Sequence, residues 1–390
     1  MAEQRRVVTA TPENSETPLA SVRSWVTPTP WFFVRNHFEV PSPIPADWRL
    51  RLDGCVHHVA EWTLDELAAL PERTVFCTLE CAGNGRSFLQ PCVPGVQWGA
   101  GAIGHAEWTG IPVRHLLEKA GVQASAVEVV FWAADRGSEA DHPEPMAFAR
   151  GMPLAKAMDA DTLLATRMNG EILDASHGYP IRLLAPGWYG VASVKWLTRI
   201  EVIDRHFQGY YQTKKYVIQQ QTNRGIETVP VGSMAVKSEI LRPASDAVLG
   251  VGTNRLFGVA WAGEEAVARV EISTDNGKNW NDAELMGLRA PYSWTLWEYL
   301  WEVAVPGSYS LLARAVSSSG RVQPEQHDPL LGGYMIHFSR PIPVRVESAR
   351  RTQETWADTD TLLYDMNAFA EENTRFPLDV EMQFAGGEGI

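Results

Sequence analysis

A cysteine that ends a strand pattern and opens a glycine-rich turn is the most chemically suggestive feature of the sequence. Val75, Cys77, Leu79 and Cys81 fall on one face of the run Thr74–Cys81, and Ala82-Gly83-Asn84-Gly85-Arg86 follows as a turn. The plain reading is two buried cysteines packing as small apolar residues, the common fate of free cysteine. Three details set Cys81 apart. It lies where a strand runs out into a loop, Gly83 and Gly85 let backbone amides approach an anion, and Arg86 is close enough to favour a thiolate. A single soft thiolate suits a metal whose other ligands come from a cofactor.

Two further clusters carry expensive polar groups in apolar settings. Phe33-Val34-Arg35-Asn36-His37-Phe38 places three polar side chains inside a proline-flanked apolar segment; the competing reading is a solvated edge with one satisfied histidine. Ser176-His177-Gly178-Tyr179-Pro180-Ile181-Arg182 and Gly187–Leu197 add an arginine inside a β-like run and Lys195 after a glycine-rich loop. Buried, both need an anion, and a phosphate would serve.

The elements that must position these groups are short. Up to about Ile203, β-like runs at Arg49–Leu52, Thr74–Cys81, Val127–Trp132, Ile181–Leu184 and Ser193–Val202 alternate with short helices. Thr63-Leu64-Asp65-Glu66 is a capping box for a helix that Pro71 stops, and a second helix runs from Pro112 to Gly121. Long Gly- and Pro-rich stretches separate them, so an α+β domain with functional loops is predicted over 25–228. From 229 to 351 the texture is β only. Ala268, Val270, Ile272 and Thr274 alternate with polar residues, Asp275-Asn276-Gly277 gives a hairpin turn, and Tyr309, Leu311, Ala313 and Ala315 share a face. That pattern predicts an immunoglobulin-like β-sandwich. Residues 1–24 read as a disordered arm, and 352–390 as an acidic tail with a helix near Leu362–Ala370.

Length and charge bound the function. The 390 residues suffice for two or three domains of about 150 residues each. A net charge of −13 argues against nucleic acid or anionic membrane as partner, so an anionic substrate needs a local cationic pocket. Cys55, Cys77, Cys81 and Cys92 are too few for a disulfide scaffold and form no Cys-x-x-Cys pair. Arg5-Arg6 resembles an export start, but a polar stretch follows it. A cytoplasmic protein is expected, or a periplasmic one if a leader was removed.

Taken in order, these segments resemble the sulfite oxidase family over roughly residues 30–345. Cys-Ala-Gly-Asn-Gly-Arg at 81–86 is similar to its metal-ligand loop and Phe-Val-Arg-Asn-His at 33–37 to its first cofactor segment. Trp98–Gly104, Trp108-Thr109-Gly110, His177–Arg182 and Ser193–Leu197 match later segments. Ala260–Gly263, Asp275–Trp280 and Gly320–Pro324 continue the likeness into the β region. The resemblance implies a molybdopterin-binding domain followed by a dimerisation domain, with sulfite oxidised to sulfate by oxygen-atom transfer. It implies that Cys81 is the one protein ligand to molybdenum. Phe33, Arg35, Asn36, His37, Asp135, His177, Arg182, Ser193, Val194 and Lys195 would contact the pterin or its phosphate. Arg35 and Arg86 would line the anion pocket, Trp98 its wall, and Tyr216 would be an active-site tyrosine.

The resemblance further implies a homodimer, no haem or flavin in this chain, and electrons passing to a separate acceptor, a cytochrome or oxygen. Where vertebrate members carry a further pocket arginine, Leu331-Gly332-Gly333 stands here. That departure motivates a second reading, a related molybdoenzyme acting on another sulfur oxyanion, a sulfoxide or nitrate. A third reading, a non-catalytic interaction protein, is opposed by the intact Cys81, Arg35 and Lys195.

Overall fold

The computed structural model describes residues 4–22, 24–41, 44, 45 and 47–348; the acidic tail and the helix expected near Leu362–Ala370 lie outside the described residues. The fold is α+β, strand-dominated with a few short helices, in mixed sheets.

Two sheets build the first half. In one, Glu171–Ile172, Leu163–Met168, Ile103–Pro112 and Arg73–Glu80 lie side by side, with Arg182–Leu184 also on Leu163–Met168. In the other, Leu197–Ile203 sits parallel to Leu50–Gly54 and antiparallel to Glu128–Glu139. All five expected strands exist, but two differ in extent. Glu128–Glu139 runs well past Trp132 because it forms a hairpin with His142–Pro153 that the sequence pattern did not reveal. Leu197–Ile203 starts later than Ser193, since Trp196 takes φ +50° and Ser193–Lys195 are drawn out of the ladder.

Both expected helices form. Over Leu64–Ala68, Thr63 Oγ1 accepts from the Glu66 amide at 3.2 Å, and the Glu66 carboxylate accepts from the Thr63 amide at 2.8 Å. Val113–Ala120 buries Val113, Leu116, Leu117 and Ala120, and Gly121 closes it at φ +69°.

The N-terminal arm corrects the expectation of disorder. Arg6–Ala10 and Glu13–Glu16 form a hairpin whose second strand pairs with Val34–Arg35. Its second strand is wholly polar, which hid it, yet Asn14, Ser15, Glu16 and Thr17 are all buried. The hairpin closes over Gly101, where any Cβ would lie 2.5 Å from the Thr17 carbonyl oxygen.

A hairpin of Val217–Thr222 and Gly225–Pro230 straddles position 229, where the purely β texture was expected to begin. Beyond it, Lys237–Arg242, Gly252–Trp261, Thr295–Val303 and Glu284–Met286 form one sheet. Ala247–Gly250, Ile342–Glu347, Gly307–Ser317, Val267–Ser273 and Asn281–Asp282 form a second. Leu256, Trp297 and Trp301 of the first share a core with Val270, Ile272, Leu311 and Val344 of the second. The Asp275-Asn276-Gly277 turn forms, with Asn276 and Gly277 both at positive φ. A register shift between Val267 and Arg269 turns Val267 inward and leaves Ala268 exposed, against the simple alternation.

The arm reaches the polar cluster at 35–36. Asn14 Oδ1 accepts from Arg35 Nη1 at 3.2 Å and from the Asn36 amide at 3.0 Å. Replacing Asn14 by Ala leaves the buried Asn36 amide without this acceptor and takes one of two acceptors from Arg35 Nη1, which keeps the Asn36 carbonyl, at a cost of about 1–3 kcal/mol. Urea unfolding of Asn14→Ala should therefore show an earlier midpoint at unchanged slope; an unmoved midpoint would strip the arm of this role.

Candidate functional site

One cavity gathers most of the polar groups that the sequence marks out. Phe33, Arg35, Asn36, His37, Cys81, Asp135, His177, Arg182, Ser193, Val194, Lys195 and Tyr216 all line it. Strand ends and turns bring them there. Cys81 follows directly on Arg73–Glu80, Arg35 ends the short strand Val34–Arg35, and Arg182 opens Arg182–Leu184. Asp135 lies in Glu128–Glu139 where the register breaks between Trp132 and Arg136. Tyr216 sits at φ +55° between a helical turn, Tyr210–Thr213, and the hairpin that begins at Val217.

At the end of the cavity holding the thiol, Arg35 Nη2 donates to the Tyr216 hydroxyl oxygen at 3.3 Å, and His37 Nε2 lies 2.8 Å from the same oxygen. Burial, then the positive charges of Arg35 and Lys195, push His37 well below the ordinary histidine range, so its ring is neutral. Burial drives the Tyr216 phenol up to about 12 despite Arg35, so it keeps its proton at neutral pH. A neutral imidazole can accept from that O–H while Arg35 donates to the oxygen.

Around the basic residues, Lys195 Nζ donates to the Ser176 carbonyl at 2.7 Å and to Asn36 Oδ1, and lies 4.2 Å from the centre of the Trp196 ring. Arg182 Nη1 donates to the His177 carbonyl at 3.0 Å and Nη2 to the Ser193 carbonyl at 3.1 Å. Burial lowers Lys195 well below its usual range, with Arg182 adding to the effect and Asp135 opposing it. Arg182 falls to about 10 and His177 to about 3, burial being the main cause in both. Four buried polar atoms on the cavity's lining residues have no hydrogen-bond partner: Asn36 Nδ2, Asp135 Oδ1, His177 Nε2 and Arg182 Nε. Desolvated cations and unpaired buried polar atoms around a hollow describe a site for an anionic, hydrogen-bonding ligand.

Two expected pocket residues are placed elsewhere. Arg86 donates from Nε and Nη2 to the Gly333 carbonyl at 3.0 and 2.7 Å and from Nη1 to the Val96 carbonyl at 3.0 Å. It is not among the cavity's lining residues. Gly83 serves this clamp rather than an anion, for a Cβ there would lie 2.5 Å from Arg86 Nη2. Trp98 is fully buried in the apolar cluster that also holds Cys81 and Phe33. The expectation that Arg86 keeps the Cys81 thiol acidic also needs correcting. Burial raises that thiol's pKa, Arg35 opposes it most, and Arg86 less. Burial thus opposes ionisation of the thiol, and a metal cation beside it would favour the thiolate.

Sequence reasoning missed several lining residues. Ser176 and Trp196 lie inside segments it had singled out without being named as site residues, whereas Phe148 sits on the unforeseen strand His142–Pro153, where it stacks on His37 at 4.7 Å. Among the described residues no group of three His, Cys, Asp or Glu side chains could hold a metal, so a metal at Cys81 would draw most of its ligands from outside the chain.

The oxidoreductase molybdopterin binding domain matches residues 37–211, and the Mo-co oxidoreductase dimerisation domain matches 229–340. The mitochondrial sulfite oxidase of Drosophila melanogaster is 34% identical over 361 residues, covering 86% of this chain and 62% of that protein. The sulfite oxidase of Gallus gallus is 34% identical over 348 residues, covering 83% of this chain and 74% of that one. This chain thus spans 62% of the length of the fly relative and likewise of the mouse one. The crystal structure of the sulfane dehydrogenase SoxCD from Paracoccus pantotrophus superimposes with a TM-score of 0.76 at 28% identity, covering 89% of this chain and 91% of that one.

Burial of Asp135 makes a prediction for the ligand-free protein. Desolvation raises its carboxyl from 3.8 to about 6, against the pull of Lys195. A raised carboxyl favours the folded state at low pH. The resulting penalty is absent below 3.8, grows as pH rises towards 6, and reaches about 3 kcal/mol above that. Asp135→Asn should therefore stabilise the ligand-free protein by about 3 kcal/mol at pH 7.5 but by only about 1 kcal/mol at pH 4.5. Equal gains at both pH values in urea titrations would contradict it.

Proposed function

The chain belongs to the sulfite oxidase family of molybdopterin-binding oxidoreductases, and on that premise we propose that it oxidises sulfite to sulfate and passes the electrons to a separate acceptor. The observation that carries this reading is the cavity itself: a thiol at Cys81, an oxyanion-binding pair in Arg35 and Tyr216, and unpaired buried polar groups beyond them. The residues present fit a molybdenum–pterin group. Asn36 Nδ2, His177 Nε2 and Arg182 Nε offer unspent polar atoms, and a phosphate beside Lys195 would oppose the burial that lowers it.

In this reading Cys81 would hold the metal as a thiolate, while Arg182, Lys195, Ser193, His177 and Asn36 would hold the pterin phosphate. Phe33, Val194 and Asp135 border the pterin. When bound, the group supplies oxygen-atom transfer and a two-electron sink. The chain's own residues dock the substrate. Arg35 Nη1 is taken by Asn14 and the Asn36 carbonyl, so Nη2, on the Tyr216 side, would be its donor to an oxyanion, and the Tyr216 O–H, kept protonated by burial, can turn from His37 to a second oxygen. Neutral His37 takes that hydrogen bond back when the site empties. The match to the dimerisation domain supports a homodimer, and the two packed sheets beyond Lys237 are read as an immunoglobulin-like sandwich.

A second reading has one specific observation behind it. With Arg86 occupied by backbone carbonyls, Arg35 is the lining guanidinium that bears on the thiol, and a pocket with one cation fewer than expected favours a substrate other than sulfite. The likeness to the sulfane dehydrogenase points to sulfane sulfur as the alternative.

Purified protein assayed for ferricyanide reduction with sulfite and, separately, with thiosulfate tests both. Sulfite should be the faster substrate and Cys81→Ser should abolish turnover. Arg35→Gln should raise the sulfite KM at least tenfold, as the loss of a charge-assisted contact of about 1.5–3 kcal/mol requires. Faster turnover of thiosulfate would favour the second reading, and full activity in Cys81→Ser would end both.

A further inference from the structure

The strand that delivers Cys81 shows two faces with different owners. Cys77, Leu79 and Cys81 point into the apolar cluster on the cavity side. The alternate residues Thr78, Glu80 and Ala82 are each held by residues beyond 229. The Thr78 amide donates to the Tyr292 carbonyl at 3.0 Å, and Thr78 Oγ1 accepts from the Trp294 amide at 2.8 Å. Glu80 Oε1 accepts from Lys237 Nζ at 3.0 Å and Glu80 Oε2 from Trp261 Nε1 at 2.9 Å. The Ala82 carbonyl accepts from the Met335 amide at 2.7 Å, and Arg86 reaches Gly333.

Glu80 also governs the turn after the cysteine. Its Oε1 accepts from Asn84 Nδ2 at 3.0 Å, and Asn84 Oδ1 in turn accepts from the Ala102 amide at 3.0 Å. Glu80 and Lys237 are both almost completely buried, and Lys237 is further fixed by Glu239 at 3.5 Å, which Arg340 holds at 2.6 Å. A buried ion pair is poorly tolerated when one partner is removed, so its geometry is tightly set. Because side chains alternate along a strand, fixing 78, 80 and 82 on one face fixes 77, 79 and 81 on the other.

We propose that the C-terminal β region, besides any part in dimerisation, sets the position of the Cys81 thiol, with Lys237 and Trp261 as positioning residues acting through Glu80 and Asn84. Neither residue touches the cavity. The metal side of this inference rests on the function proposed above; the placement of the thiol does not.

Two readouts test it. In the cofactor-free protein, alkylation of Cys81 by iodoacetamide, followed by peptide mass spectrometry, should run at least tenfold faster in Lys237→Met than in the unsubstituted chain. Lys237→Arg should bring it back to within about twofold. In the holoenzyme, molybdenum retained after long dialysis should fall in the same order. Val270→Ala, in the core between the two C-terminal sheets and off the Cys81 strand, is the control: it should lower Tm and leave both readouts alone. If Lys237→Met does not fold, Trp261→Phe, which deletes one hydrogen bond to Glu80, decides by a several-fold rise in alkylation. Unchanged alkylation in whichever variant folds overturns the proposal, as does an equal rise in Val270→Ala. If the unsubstituted protein binds no molybdenum, the proposed function fails, while the alkylation series still decides this inference.

Discussion

Everything around the cavity answers one constraint: cationic groups are kept from water with too few protein partners. Arg182 and Lys195 are shifted towards neutrality by burial, and polar atoms on Asn36, His177, Arg182 and Asp135 are left unpaired. Removing an ion from water costs several kcal/mol even after relaxation, about as much as a small domain's whole stability margin. The fold tolerates this because its two first-half sheets and the β region behind them pack tightly around the site, and because a ligand of opposite charge would recover the loss. The empty-site penalty and the ligand affinity are two views of the same energy.

Much of the site was legible because its residues come in contiguous runs. Phe33–His37, His177–Arg182 and Ser193–Lys195 each place several polar groups beside glycine or proline in apolar surroundings, a combination that ordinary strands avoid. What stayed hidden depended on distant partners. Arg86 reads as a pocket cation until Gly333, 247 positions away, is seen to take its donors. The hairpin over Arg6–Glu16 has no hydrophobic alternation because its burial comes from a cover of loops and from polar contacts such as that between Asn14 and Arg35. Lys237, buried on a strand, carries no local sign of its role. Its counter-ion lies 157 positions upstream, and no local pattern announces it.

The fold likewise divided by range. Capping residues and the glycine stop settled both helices, since those signals act within one turn. Strand extents went astray where a partner strand or a positive φ decided them, as at Glu128–Glu139 and at Trp196. The register shift at Val267 shows the same limit on a smaller scale: one inserted residue exchanges inside for outside, and nothing local records it.

The bolts on Thr78, Glu80, Ala82 and Arg86 have a consequence for biosynthesis. They come from residues 237, 261, 292, 294, 333 and 335, so the cysteine-bearing turn leaves the ribosome long before the last of its anchors exists. At ordinary elongation rates that interval is on the order of tens of seconds. During it the nascent first half can collapse but cannot hold its reactive sulfur in register. On the proposed positioning, a prosthetic group finds its thiol in place only after residue 335 has been made, and a ribosome that stalls earlier releases a chain unable to trap it.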